Sequence, residues 1–222
     1  MEIRTTFRKK LREIQNQVLV MGSMAEKALM SSVKALKERD LDLAHRVISD
    51  DLKINQKRFE IEEKCVELIA TQQPMASDLR IIIAILNITT EIERIGDYAM
   101  GIARIVIMIG DEPPLKPLID IPRMVEQTVD MLRRSLDAFI NRDAEAVKKI
   151  AAEDDLVDNL YDQVFRELLV FMAEDPRTIT RATRLIWVAH NLERSADRVT
   201  NICERVVYMV TGKMEEIGAS KY

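Results

Sequence analysis

The 222 residues are 47% hydrophobic but only 5% aromatic, 32% are charged, and Gly and Pro number six each, a composition that suits long helices rather than strands and turns. The 33 Lys and Arg against 37 Asp and Glu leave a net charge of −4, without the basic excess or Lys/Arg block of a nucleic-acid binder. Cys65 and Cys203 stand alone, outside any CxxC pair, which excludes a zinc-thiolate or dithiol motif. The most apolar run, residues 81–88, is far short of a membrane span, and the charged opening MEIRTTFRKKLREIQ lacks an apolar signal core; a cytoplasmic protein without direct membrane insertion is expected.

In chain order, helical periodicity runs through six segments. Phe7, Leu11, Ile14, Val18, Met21, Ala25, Leu29, Ser32 and Leu36 recur three or four apart and predict a helix over about 3–38. Arg39-Asp40 offers a cap, and a second helix reaches about Thr71. Pro74, at a first-turn position, opens a third helix to about Ile109. Pro113, Pro114 and Pro117 then make a stretch no helix crosses. A fourth helix over about 119–140, a fifth over 143–173 and a sixth from Asp175-Pro176 to about Gly212 complete the pattern.

The second half repeats the first. At an offset of 103, Met21 meets Met124, Ser32 meets Ser135, Ala35 meets Ala138, Arg39-Asp40 meets Arg142-Asp143 and Asp51 meets Asp154. Beyond the middle turn the offset is 100, and Glu93-Arg94-x-x-Asp97 falls on Glu193-Arg194-x-x-Asp197. The expected fold is all-α: two tandem, sequence-related antiparallel three-helix bundles, 1–110 and 119–222, joined by a linker at 111–118. Each bundle is expected to close its own core, and the pair to form an elongated molecule.

Acidic residues spaced four apart are the informative feature. Glu93 and Asp97, Glu193 and Asp197, and Asp154 and Asp158 each share a helix stripe, with Asp51 and Asn55 as the fourth pair. Like charges at this spacing cost ~0.2–0.5 kcal/mol per pair. Folding the second and third helices into a hairpin brings level the residues that are symmetric about the turn. Asp51 and Asp97, and Asn55 and Glu93, are symmetric about Pro74; Asp154 and Asp197, and Asp158 and Glu193, about the Asp175–Pro176 bond. Two patches of four oxygen-bearing side chains result, a geometry for hard cations such as iron(III), manganese, magnesium or calcium. His190, three residues before Glu193, could add a nitrogen ligand to the second patch. Asn55 makes the first the poorer site. The alternative is a solvated charged stripe, with Arg94 and Arg194 paired to Asp97 and Asp197 three residues on.

Other residues carry less. The Met residues at helical spacing, Trp187 and Cys65 read as core. Gly96 inside a helix marks a close approach by a neighbouring backbone or ion. Gln72-Gln73-Pro74 before Ser77-Asp78-Leu79-Arg80 reads as a helix start, and a phosphate seat there is the bolder alternative.

Gln73-Pro74-Met75-Ala76-Ser77-Asp78-Leu79-Arg80 followed by Glu93-Arg94-Ile95-Gly96-Asp97, and Glu193-Arg194-Ser195-Ala196-Asp197 with Asn201-Ile202 behind it, resemble the signatures of the PhoU family of phosphate-signalling regulators. Length and duplicated layout resemble that family across essentially the whole chain; Ser195-Ala196 is a departure from the ERIGD its second copy often carries. The resemblance implies a non-enzymatic negative regulator of the phosphate-starvation response. Such a protein links the ATPase of a phosphate ABC transporter to a sensor histidine kinase, and a homodimer is expected. It further implies multinuclear metal sites, with iron foremost and manganese, magnesium or zinc as alternatives, at Asp51/Asn55, Glu93/Asp97, Asp154/Asp158 and Glu193/Asp197. Two competing readings remain: a structural helical scaffold, and a carboxylate di-metal oxidase. The oxidase is disfavoured because neither histidine follows a Glu by three residues.

Overall fold

The computed structural model describes residues 2–217, and within them every regular element is a helix: α1 (Glu2–Glu38), α2 (Leu41–Gln72), α3 (Ala76–Ile109), α4 (Asp120–Asn141), α5 (Ala144–Ala151), α6 (Asp154–Glu174), a single 3-10 turn (Pro176–Thr178) and α7 (Ile179–Thr211). The duplication is visible in the corners. Arg39 and Arg142 end α1 and α4 in the left-handed region at φ 59° and 56°. The next residue then caps the following helix: Asp40 accepts from the Leu43 backbone N–H, and Asp143 from those of Glu145 and Ala146. Each cap satisfies amide donors that have no partner within the helix.

Where a single fifth helix over 143–173 is expected, α5 and α6 are separated by a turn at Ala152-Glu153. No Gly or Pro marks it. The Glu153 carboxylate is drawn onto α4, accepting from Arg134 and Gln127, each at 2.9 Å. The break turns Asp154 and Asp155 into the first turn of α6, where the positive end of the helix dipole favours carboxylates. Pro74 precedes α3 by two residues instead of lying in its first turn. That N-terminus has no side-chain cap and carries Asp78 in its first turn, a charge that opposes a bound phosphate. Arg80 lies instead against Gly212 at the far end of α7.

The helices pack side by side. α1, α2 and α3 contact one another, α4, α6 and α7 do likewise, and α3 against α7 and α1 against α4 form the seam. The buried apolar residues make one continuous cluster through both halves, so the expectation of two separately closed cores is corrected: the faces of α3 and α7 that leave their own hairpins are covered by each other. Glu91 accepts from Asn201 at 3.2 Å and pairs with Arg198 at 3.4 Å. With the repeats exchanged, Asn191 reaches Gly101. On α1, Gly22 gives Leu136 its place; a Cβ there would lie 2.2 Å from Leu136 Cδ1. Trp187 is half exposed and not core, whereas Cys65 and Cys203 are buried, their thiols pushed up to about 12 chiefly by burial. Met21 is buried, but Met30 is exposed. Among the described residues no helix is long and apolar enough to cross a membrane.

Asp40→Ala removes a side-chain cap that the 32-residue α2 depends on for its first turn. The expected cost is ~1 kcal/mol, seen as a melting temperature lower by about 2–4 °C in a chain of this size.

Candidate functional site

Both hairpins bring their acidic residues within electrostatic reach. In the first, Asp51 on α2 is buried, at 7% exposure, and its carboxyl is raised above the usual carboxylate range by burial and then by Asp97 across the hairpin. Its Oδ2 accepts from the Asn55 amide at 3.1 Å; its Oδ1 is buried without a hydrogen-bond donor. Glu93 on α3 is likewise raised, first by burial and then by Asp97, with Arg58 acting in the opposite direction. Arg58 lies 3.6 Å from the Glu93 carboxylate. Asp97 is exposed, at the open edge of the patch. Gly96 is the position of close approach, but what approaches is side chain: a Cβ would sit 3.0 Å from Ile54 and 3.4 Å from Asp51 Oδ1.

The second patch holds more unbalanced charge. Asp154, half-buried at the start of α6, is raised to about 7 by burial, then by Asp158, Asp197, Glu193 and Asp155. Glu193 on α7 is also raised to about 7, by burial and then by Asp197, with Arg194 opposing and Asp158 adding to the rise. Asp197 is raised by burial despite the neighbouring Arg194, Arg198 and His190, and Arg194 donates to it at 3.1 Å. Asp154 Oδ1 and Glu193 Oε2 are buried without a hydrogen-bond donor. His190 Nδ1 stands 3.4 Å from Glu193 Oε2, and burial followed by Arg194 lowers the His190 pKa, which favours the neutral ring.

The repeat itself explains the difference. At the offset of 103, Arg58 corresponds to Tyr161 and Asn55 to Asp158. Where the first patch has a cation beside Glu93 and an amide on Asp51, the second has a phenol and a fourth carboxylate. Tyr161 packs near His190, with ring centroids 6.0 Å apart, and its hydroxyl pKa is raised by burial and then by Glu193. Sequence reading missed Arg58 and Tyr161. Their signal was position: Arg58 lies two turns beyond Asp51 on the stripe that faces α3.

The donors are carboxylate oxygens, hard ligands each able to bridge, and three of them, on Asp51, Asp154 and Glu193, are buried with no donor to satisfy them. In donor chemistry the patches fit a hard cation. Among the described residues, however, no three His, Cys, Asp or Glu side chains stand in a metal-holding arrangement.

A family model described as the PhoU domain matches this chain twice, over residues 18–106 and 121–206. The chain is 37% identical over 215 residues to the phosphate-specific transport system accessory protein PhoU homolog of Clostridium acetobutylicum, covering 96% of this chain and 98% of that relative. To the phosphate-specific transport system accessory protein PhoU of Escherichia coli it is 38% identical over 207 residues, covering 93% and 86%. The crystal structure of PhoU from Pseudomonas aeruginosa superposes with a TM-score of 0.88 at 38% identity, covering 93% of this chain and all of that one. That of the phosphate transport system regulatory protein PhoU from Streptococcus pneumoniae has a TM-score of 0.88 at 31% identity, covering 94% and 99%. These relatives are named as accessory and regulatory proteins, not as enzymes.

The raised carboxyls make stability depend on pH. Asp154 and Glu193 titrate at about 7 in the folded chain, against 3.8 and 4.5 as ordinary side chains. Between those values the folded state holds protons that the unfolded state has released, so their contribution to stability falls as pH rises and levels off above about 7. In chelator-treated protein, Asp154→Asn with Glu193→Gln is therefore expected to gain melting temperature over the parent progressively from pH 4.5 to 7.5. Thermal melts across that range check it, and a gain independent of pH would contradict the burial of these charges.

Proposed function

Because the chain belongs to the PhoU family, we propose that it is a regulator of phosphate uptake and phosphate-starvation signalling, acting as a negative-regulatory adaptor between the ATPase of a phosphate transporter and a sensor histidine kinase. The observation that carries this reading is the double match to the PhoU domain, one copy in each half, together with relatives named for a phosphate-specific transport system over nearly their whole length. An adaptor needs surfaces, not a reaction. The site of action is taken to be the cytoplasmic face of the transporter, where its ATPase sits.

We further propose that the second patch binds a hard cation through Asp154, Asp158, Glu193 and Asp197, with Asp51, Glu93 and Asp97 forming the weaker counterpart. Four carboxylates with no cation contributed by α6 support that ranking; Arg58 and Asn55 already offset charge in the first patch. A bound cation would supply positive charge where the chain provides least, tying α6 to α7. Asp158 extends the patch along α6, and Glu193 and Asp197 fix its level on α7. Iron is the first candidate, with manganese, magnesium or zinc as alternatives, since all accept carboxylate oxygen.

Tag-free protein purified without chelator should carry such a metal by elemental analysis. Glu193→Ala with Asp197→Ala should remove most of it while helical circular dichroism persists, and Asp51→Ala should remove less. Metal content untouched by the α7 substitutions would leave a solvated acidic stripe, a reading that Arg194 pairing with Asp197 at 3.1 Å favours. Pull-down of the transporter ATPase and of the kinase tests the adaptor role; capture of neither, with or without added metal, would sink it.

A further inference from the structure

The connection between α3 and α4 is a braced wall. Pro113, Pro114 and Pro117 fix three of its φ angles. Arg181 of α7 donates to the Pro113 carbonyl at 3.3 Å, and Arg184 holds Glu112 at 3.4 Å. Farther along, Lys116 pairs with Glu167 of α6. Braced to α7 and α6, the connection bounds a cavity of about 330 Å³ against the ends of α1 and α3.

Apolar side chains line its interior: Leu36 from α1, Ile109 from α3, Leu115 and Leu118 from the connection and Leu185 from α7. Its mouth is basic. Lys37 and Arg39, at the end of α1, are both exposed, and among the described residues neither has an acidic partner. Arg39 is carried outward by the left-handed turn that ends α1. On a chain with a net charge of −4, an apolar cavity bordered by two unpaired cations runs against the general charge.

We propose that this cavity is the docking site for an acidic segment of a partner protein, which inserts an apolar side chain between Leu115 and Leu185 and sets its carboxylates against Lys37 and Arg39. This rests on the adaptor reading above and assigns it a surface. Three arguments select the occupant. The volume lies at the low end of the ~300–1,000 Å³ of ligand pockets, suiting one or two side chains better than an extended cofactor. The walls are already held, so an anchor entering them orders nothing else, and preformed apolar pockets are where interface energy concentrates. The cations are free to meet opposite charge, which speeds encounter and sets orientation.

The test uses the full-length chain and two probes, the purified transporter ATPase subunit and the kinase's cytoplasmic region, with affinity measured at low and high salt. Two variants are compared with the parent: Lys37→Glu with Arg39→Glu, at exposed positions, and Leu115→Trp, which fills the cavity. For one of the two probes, each variant should weaken binding at least tenfold, and the charge variant should also lose most of the salt dependence. If Leu115→Trp does not fold by circular dichroism, the charge variant decides alone. Parent-like binding of the variants to a probe that the parent binds overturns the docking site and leaves the adaptor role standing. Failure of the parent to bind either probe removes both. A small aliphatic acid retained by the parent in native mass spectrometry and lost from both variants, with partner binding unchanged, overturns the protein partner in favour of a small ligand.

Discussion

Carboxylates placed level on two antiparallel helices repel one another and lose hydration together, and whether a cation stands among them governs the rest of the site. In the first patch Arg58 approaches Glu93 at 3.6 Å and Asn55 hydrogen-bonds Asp51, so part of that cost is met within the chain. In the second, the place of Arg58 is taken by Tyr161 and that of Asn55 by Asp158. Asp154 and Glu193 are then held at about 7, half-neutral near physiological pH. One duplicated scaffold carries two patches of different charge balance, three carboxylates with Arg58 and Asn55 in the first and four with Arg194 on Asp197 in the second.

Both patches are joined to the seam. α3 and α7 each use one face for their own hairpin and another for one another, and Arg194 serves both: it donates to Asp197 within the second patch, and Tyr98 of α3 acts on its guanidinium from across the seam, raising its pKa. Four residues on, Arg198 reaches Glu91 of α3. The charge state of the acidic patch and the packing of the two halves therefore share side chains. With one continuous core, the halves have no separate interior into which such a change could be absorbed.

Much of this was legible in residue order, for identifiable reasons. Asp40 and Asp143 cap their helices because a short acidic side chain after a left-handed residue can reach only the next turn's amides. Symmetry about Pro74 and about the Asp175–Pro176 bond picks out carboxylates that act on one another across each hairpin, Asp97 on Asp51 and Asp197 on Asp154, since antiparallel helices of equal rise keep symmetric residues near one level. The break at Ala152-Glu153 was not legible: Lys-Lys-Ile-Ala-Ala-Glu-Asp-Asp contains good helix formers and no breaker, and the turn is drawn by Arg134 and Gln127 on a different helix. Trp187 misled because an apolar residue in an apolar stretch reads as core, whereas its place beyond the seam leaves it half exposed.

The sequence alone determined the helical class, the duplication and which carboxylates come within electrostatic reach of each other across each hairpin, because these depend on periodicity and on distance from a turn. Tertiary structure alone decided how much of each charge is buried, which arginine stands beside which carboxylate, and that the two halves share one interior. Burial and neutralisation are properties of neighbours distant in the chain: Arg58 bears on Glu93, and Glu91 on Arg198, only after the helices have packed. No local pattern of residues encodes those distances.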